Sequence, residues 1–205
     1  MTIFNSPIAI LELGSTHINL AIYDNLILNQ SLFYKEKIDY INNENIYIEQ
    51  IIDNLILKAE KKLKQHLNEI ILMVDTLSIN SIYISQQKNY DRRLITINDL
   101  NHLINESETI VKRNHQEKEI LHIVKSKIIF DDKIIQDAEN LSQETSKVTL
   151  DLIFLVIDKK KSEYLKKLFK KKQIYVKKIF CTSYIKSLEL INKLGIFGIN
   201  SFIDI

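Results

Sequence analysis

The stretch LELGSTHI, residues 11–18, places a carboxylate (Glu12), a glycine (Gly14) and two hydroxyls (Ser15 and Thr16) within five residues, between two alternating apolar runs. Two kinds of structure use that set. A β-hairpin needs a turn residue. A phosphate-binding loop needs glycine so that backbone N–H groups can approach the ligand, hydroxyls to donate to it, and an acid to orient Mg²⁺ through water. Residue types alone leave both open. Gly14 is one of only three glycines among 205 residues, so its position carries more information than usual.

Other reactive side chains form no such group. His17, His66, His102, His115 and His122 are scattered without metal-ligand spacing. Cys181 is expected at the start of a helix, as a buried structural thiol. Asp131, Asp132 and Asp137 read as loop carboxylates with no pocket to serve. Residues 159–178, KKKSEYLKKLFKKKQIYVKK, put Tyr164, Leu165, Leu168 and Phe169 on one helical face and lysines elsewhere. An anionic lipid surface or a nucleic acid would suit the lysines. Strand-like patterns on both sides instead favour a helix packed on a sheet with a solvated lysine face. The lysines have no aromatic stacking platform, so nucleic acid ranks last.

Composition narrows the classes further. The net charge of +2 is too small to argue by itself for nucleic acid or membrane. A single cysteine excludes an intrachain disulfide framework and fits a reducing compartment. No apolar run reaches transmembrane length, and the first residues lack a basic leader region, which predicts a cytoplasmic protein. One proline and three glycines leave few ordinary turn signals.

Hydrophobic periodicity supplies the elements that must position Glu12 and its neighbours. Strands are expected at 8–13, 17–23 and 26–35, with Asp24–Asn25 as a tight turn, giving an antiparallel meander. A helix over 46–67 follows, on Ile48, Ile51, Ile52, Leu55, Ala59 and Leu63, and then a buried strand at 69–74. SINSIYIS and RRLITI read as two exposed strands. Thr96 is expected to cap a helix over 97–109, with Asp99 completing a capping box. Residues 119–130 read as a strand, 131–147 as a polar loop, and 148–157 as a strongly apolar strand. A basic helix at 162–172, a strand at 174–180, a helix at 182–194 and a final strand in GINSFIDI complete the chain.

With the middle set aside, this order is βββαβ followed by αβαβ, an α/β pattern with a mixed sheet. It resembles the first half of the actin/ribonuclease-H-like ATPase fold. More specifically it resembles the bacterial cell-division protein FtsA, whose second subdomain is replaced by an SHS2 (strand-helix-strand-strand) insert. The stretches that carry the resemblance are LELGSTHI, EIILMV, the helix after Thr96, EILHIVKSKIIFDDK, KKIFCTSYIKSLELI and GINSFIDI. The resemblance implies a truncated actin-like subdomain at 1–75 and 159–205, with an SHS2-type α+β subdomain inserted at 76–158. It also implies a vestigial half-site for nucleotide at Glu12, Gly14, Ser15, Thr16 and Asp204.

The chain departs from that family at several points. Asp75-Thr76 replaces Ser-Gly, Lys125, Lys127 and Ile128 replace Pro, Glu and Tyr, and the sequence reaches Asp204-Ile205 just before a Gly-Gly-Gly-Thr loop would begin. With one jaw of the phosphate clamp, the chain is expected not to be an ATPase; no cofactor is expected beyond weak residual binding of ATP and Mg²⁺. The implied role is a cell-division adaptor at the septum, held at the inner face of the membrane only through partners. It would act through self-association or division proteins contacted by the insert, with a complementary second-lobe chain as a further partner and without nucleic acid. A gene remnant without independent activity and an adaptor resembling the pilus-assembly protein PilM are the alternatives.

Overall fold

A computed structural model describes residues 7–23, 30–38, 44–75, 79–135 and 144–195. In chain order the elements are β1 (Ile8–Leu13), β2 (His17–Tyr23), β3 (Gln30–Lys37), α1 (Glu44–Leu63), β4 (Glu69–Val74), β5 (Ile79–Leu94), α2 (Ile97–Asn114), β6 (Lys118–Phe130), β7 (Lys133–Ile135), β8 (Glu144–Asp158), α3 (Lys159–Lys170), β9 (Tyr175–Cys181) and α4 (Thr182–Leu194). They make a mixed α/β protein with two sheets. Two compact units result. The first comprises the described residues of 1–77 and 160–194, the second those of 78–159 and 195–203.

In the first unit the sheet order is β3-β2-β1-β4-β9. The meander β1-β2-β3 is antiparallel, as its short links require, and β1-β4 and β4-β9 are parallel. Leu11 on the central strand lies opposite Leu20 on one side and Leu72 on the other, and all three are fully buried. Each such side chain contributes about 1.5–3 kcal/mol. The apolar stripe of α1, Ile51, Ile52, Leu55 and Ala59, is buried as its 3.6-residue spacing dictates. The helix stops at Leu63, earlier than the periodicity suggests, because Lys64 takes φ +56°.

The second unit is an antiparallel sheet of order β5-β8-β6-β7. Its core alternates along β8 through Val148, Leu150, Leu152, Phe154 and Val156, and Leu100, Leu103 and Val111 of α2 close over it. The capping box is present: the Thr96 hydroxyl accepts from the Asp99 N–H, and the Asp99 carboxylate accepts from the Thr96 N–H at 2.9 Å. That carboxyl is held well below its usual range, first by the Arg93 guanidinium, with burial opposing and the Thr96 bonds assisting.

Several expectations are corrected here. Residues 79–85 of SINSIYIS and 92–94 of RRLITI belong to one 16-residue strand, β5, because QQKNYD between them alternates along the sheet edge, with an irregularity between Asn89 and Arg93, rather than turning. Thr96 and Ile97 already belong to the cap and first turn of α2. The expected polar loop begins instead with a two-residue hairpin. Asp131 and Asp132, with φ +43° and +70°, join β6 to β7, the backbone of a type I′ turn. The Asp131 carboxylate accepts from the Ser146 N–H at 3.1 Å, which secures the turn. Cys181 closes β9 rather than opening the helix, and it is buried. The basic helix runs over 159–170, and α2 extends to Asn114. The Asp24–Asn25 turn and the GINSFIDI strand lie outside the described residues.

Among the described residues left-handed backbone falls mostly on residues other than glycine. After α3, Ile174 N–H donates to Phe169 O at 3.1 Å and Gln173 N–H to Lys170 O at 3.0 Å. This is a Schellman C-cap, with Gln173 (φ +59°) where glycine is usual. Among the described residues only α4 is followed by a glycine in that conformation, Gly195 at φ +61°.

Candidate functional site

Ligand sites in open α/β sheets form beyond the carboxyl ends of parallel strands. Here those ends are Leu13, Val74 and Cys181, followed by Gly14, Asp75 and Thr182. Asp75 N–H approaches Leu13 O at 3.5 Å, so adjacent strand ends are joined. The Ser183 hydroxyl donates to Asp75 Oδ1 at 2.7 Å and ties the start of α4 to the end of β4.

Gly14 begins the β1–β2 turn. Its N–H donates to His17 O at 3.1 Å, and Ile38 N–H donates to Thr16 O at 2.8 Å. Its φ lies outside the left-handed region, so glycine is not required there for that reason. The requirement is space: a Cβ at residue 14 would lie 3.0 Å from His17 O. Ser15 and Thr16 are exposed at the tip, and the Thr16 hydroxyl lies 2.9 Å from His17 Nδ1.

Glu12, the last sequence-predicted acid on this edge, is already engaged at both oxygens. Asn19, directly opposite it on β2, donates Nδ2 to Oε2 at 2.8 Å. Lys186, in the second turn of α4, places Nζ 3.0 Å from Oε1. Lys35 lies next to Asn19 on β3 and completes a cross-strand row. Burial acts to raise the Glu12 carboxyl; the Asn19 and Lys186 hydrogen bonds and the charges of Lys186 and Lys35 outweigh it, and the shift is downward. The carboxylate therefore stays ionised at neutral pH. Two buried polar atoms, Asn19 Oδ1 and Thr182 Oγ1, have no hydrogen-bond partner among the described residues.

Glu12, Gly14, Ser15 and Thr16 thus share one strand end, while Asp204 lies outside the described residues. Sequence reasoning did not find Asn19, Asp75, Ser183 or Lys186. Asn19 was accessible in principle, because a turn centred on 15–16 pairs residue 12 with residue 19. Among the described residues no group of three or more His, Cys, Asp or Glu could hold a metal ion.

The second unit offers a different surface. A shallow groove of about 400 Å³ runs between edge strand β5 and α2, lined by Ile82, Tyr83, Ile84, Ile110, Val111 and His115 among others. Tyr83 is 73% exposed beside it.

The fold defined by these two sheets occurs in solved structures. The chain is similar to a chain of the PilM–PilN type IV pilus biogenesis complex, with TM-score 0.57 and 11% identity over 90% of this chain. A Bacteroides thetaiotaomicron protein with actin-like ATPase fold and unknown function aligns with TM-score 0.42, 11% identity and 95% coverage. The cytoplasmic domain of EpsL, an inner membrane component of the Vibrio cholerae type II secretion system, aligns with TM-score 0.39, 10% identity and 86% coverage. The chain spans 50% of the PilM–PilN chain, 61% of the Bacteroides protein and 57% of the EpsL domain. No protein-family model and no curated protein matches the sequence. Among the described residues no helix is long and apolar enough to cross a membrane.

Proposed function

We propose that this chain is a non-catalytic assembly adaptor of actin-like fold, acting through protein–protein contacts rather than ATP turnover. The observation that carries the reading is the Glu12–Lys186 pair. In the family resemblance Glu12 would orient a hydrated Mg²⁺. Here a lysine ammonium at 3.0 Å and the Asn19 amide take both its oxygens. A divalent cation at Glu12 would have to displace an ammonium, so this donor set does not suit the metal, and no chemical step is drawn through it. The contacts are assigned to the second unit, whose strand-helix-strand-strand-strand order extends the SHS2 pattern by one strand and whose edge strand β5 has no second neighbour among the described residues.

The shared fold with a PilM–PilN chain supports a pilus-type adaptor as the first reading. The FtsA-like septal adaptor remains the second, on the EILHIVKSKIIFDDK resemblance. Genes for pili or for cell-wall synthesis beside this one would separate the two.

Titration calorimetry with Mg-ATP, paired with sedimentation of the protein alone and with proteins encoded beside it, tests the reading. The expected result is no binding in the micromolar range and a complex that weakens on Tyr83→Glu. A micromolar dissociation constant for Mg-ATP would overturn it.

A further inference from the structure

Residues 160–178 hold nine lysines and one acidic residue, Glu163, a net charge of +8 in a chain whose total is +2. The rest of the protein is therefore net acidic, at −6, and the positive charge is concentrated on α3, the turn after it and β9. The inner face of α3 is committed to the core: Leu165, Leu168 and Phe169 are buried. Its outer half carries Lys160, Lys166, Lys167 and Lys170, with Lys161 and Lys171 exposed at its two ends. Lys172 and Lys177 are neutralised by Asp53 and Glu69. The ammonium groups of Lys160, Lys161, Lys167, Lys170 and Lys171 enter no ion pair among the described residues.

Folding does not account for this arrangement. Lysines at the end of a helix complement its dipole, but Lys160 and Lys161 stand in the first turn, which has no acidic residue. There they oppose the dipole, each at a cost of a few tenths of a kcal/mol or more. Nor can the helix lay an apolar face in a bilayer, because that face is already buried.

We infer that this lysine surface makes direct electrostatic contact with an anionic lipid bilayer, independently of any partner. Lysine is a point charge without the planar fork that reads a phosphate or base bidentately, and a bilayer surface needs no fixed spacing between charges. Two exposed tyrosines accompany the lysines, Tyr164 and Tyr175; Tyr164 is tethered through its hydroxyl, bonded to Glu49 at 2.9 Å on α1, and the positive charge is carried by lysines alone. These features favour a lipid surface over nucleic acid. The contact is Coulombic and reversible, and it does not depend on the assembly role proposed above.

The test is co-sedimentation of the full chain with phosphatidylcholine vesicles, and with vesicles containing about a third phosphatidylglycerol, at low and at high salt. The comparison protein is the quadruple variant Lys160→Gln, Lys167→Gln, Lys170→Gln, Lys171→Gln; all four side chains are exposed, so folding is retained and is checked by circular dichroism. Binding only to the anionic vesicles is expected, with a partition coefficient about 50-fold or more lower in the variant and abolished near 1 M salt, where the screening length is about 3 Å. Equal binding to both vesicle types, no binding to either, or an unchanged variant would each overturn the inference. So would tighter binding to double-stranded DNA than to anionic vesicles, with the same four lysines required. A second variant, Lys112→Gln with Lys133→Gln on the second unit, is expected to bind vesicles like the wild type.

Discussion

The two units handle polar groups at strand boundaries in opposite ways. In the first, the central strand β1 has neighbours on both sides, and the carboxylates at its carboxyl end are engaged, Glu12 with Asn19 and Lys186 and Asp75 with Ser183, while Asn19 Oδ1 and Thr182 Oγ1 stay unpaired among the described residues. In the second, β5 is a 16-residue strand whose one neighbour among the described residues is β8, on one edge only. An unpaired strand edge is a template for association unless it is blunted. Charges blunt only the later part of β5, at Lys88, Asp91, Arg92 and Arg93, while Ile82–Ser85 beside the α2 groove is left uncharged. The first unit has turned a ligand-type position inward, and the second leaves its adhesive position open.

Substitutions can sharpen that contrast. The largest effect is expected in the second unit's core. Phe154→Ala removes a fully buried ring that α2 and the sheet share, and should cost about 3–5 kcal/mol in chemical denaturation. Hydrogen exchange should then accelerate in β6 and β8 more than in β1 and β2; the opposite order would sink the idea of separate cores. Thr96→Ala removes the N-cap of α2 and should cost about 1 kcal/mol, read by the same denaturation. Gly14→Ala forces a Cβ to 3.0 Å from His17 O and should cost about 1 kcal/mol. Gly14→Ala should leave the second unit's exchange unchanged.

Glu12 gives a pH signature. Its folded pKa is depressed, so the stability it contributes is present above its unfolded pKa of about 4.3 and is lost as pH falls through the folded value. Thermal unfolding of Glu12→Gln should therefore lose part of the wild-type decline below about pH 4.5. Identical acid profiles would show that the Lys186 contact contributes nothing. The smallest effect has the opposite sign. Gln173→Gly relieves a left-handed residue at the α3 C-cap and should stabilise by about 0.5–1 kcal/mol, seen as a raised Tm.

Much of this architecture was legible from periodicity and caps. The residues of β4 and α4, the Thr96–Asp99 box and the antiparallel meander all follow from local rules. The errors share a cause. QQKNYD looks like a turn because its residues are polar, but on an edge strand only one face needs to be apolar. Asp131–Asp132 looks like a loop because the glycine normally found in a type I′ turn is missing. The site divides in the same way. Glu12 and Gly14 were visible because they are neighbours in sequence. Lys186 was not, since its approach to β1 depends on how β9 delivers α4 to the end of the sheet, more than 170 residues along the chain from Glu12.

Lys186 has one more property besides its charge. Because α4 carries it, it meets Glu12 at a concentration set by the fold and not by the solution. Tethered groups reach effective concentrations in the millimolar range or above. A dissolved cation competes with a counter-ion that never diffuses away. A divalent ion arriving at the end of β1 would therefore have to break a contact that the fold itself holds in place, so occupancy there and the docking of Lys186 on Glu12 would be opposed states of one strand end.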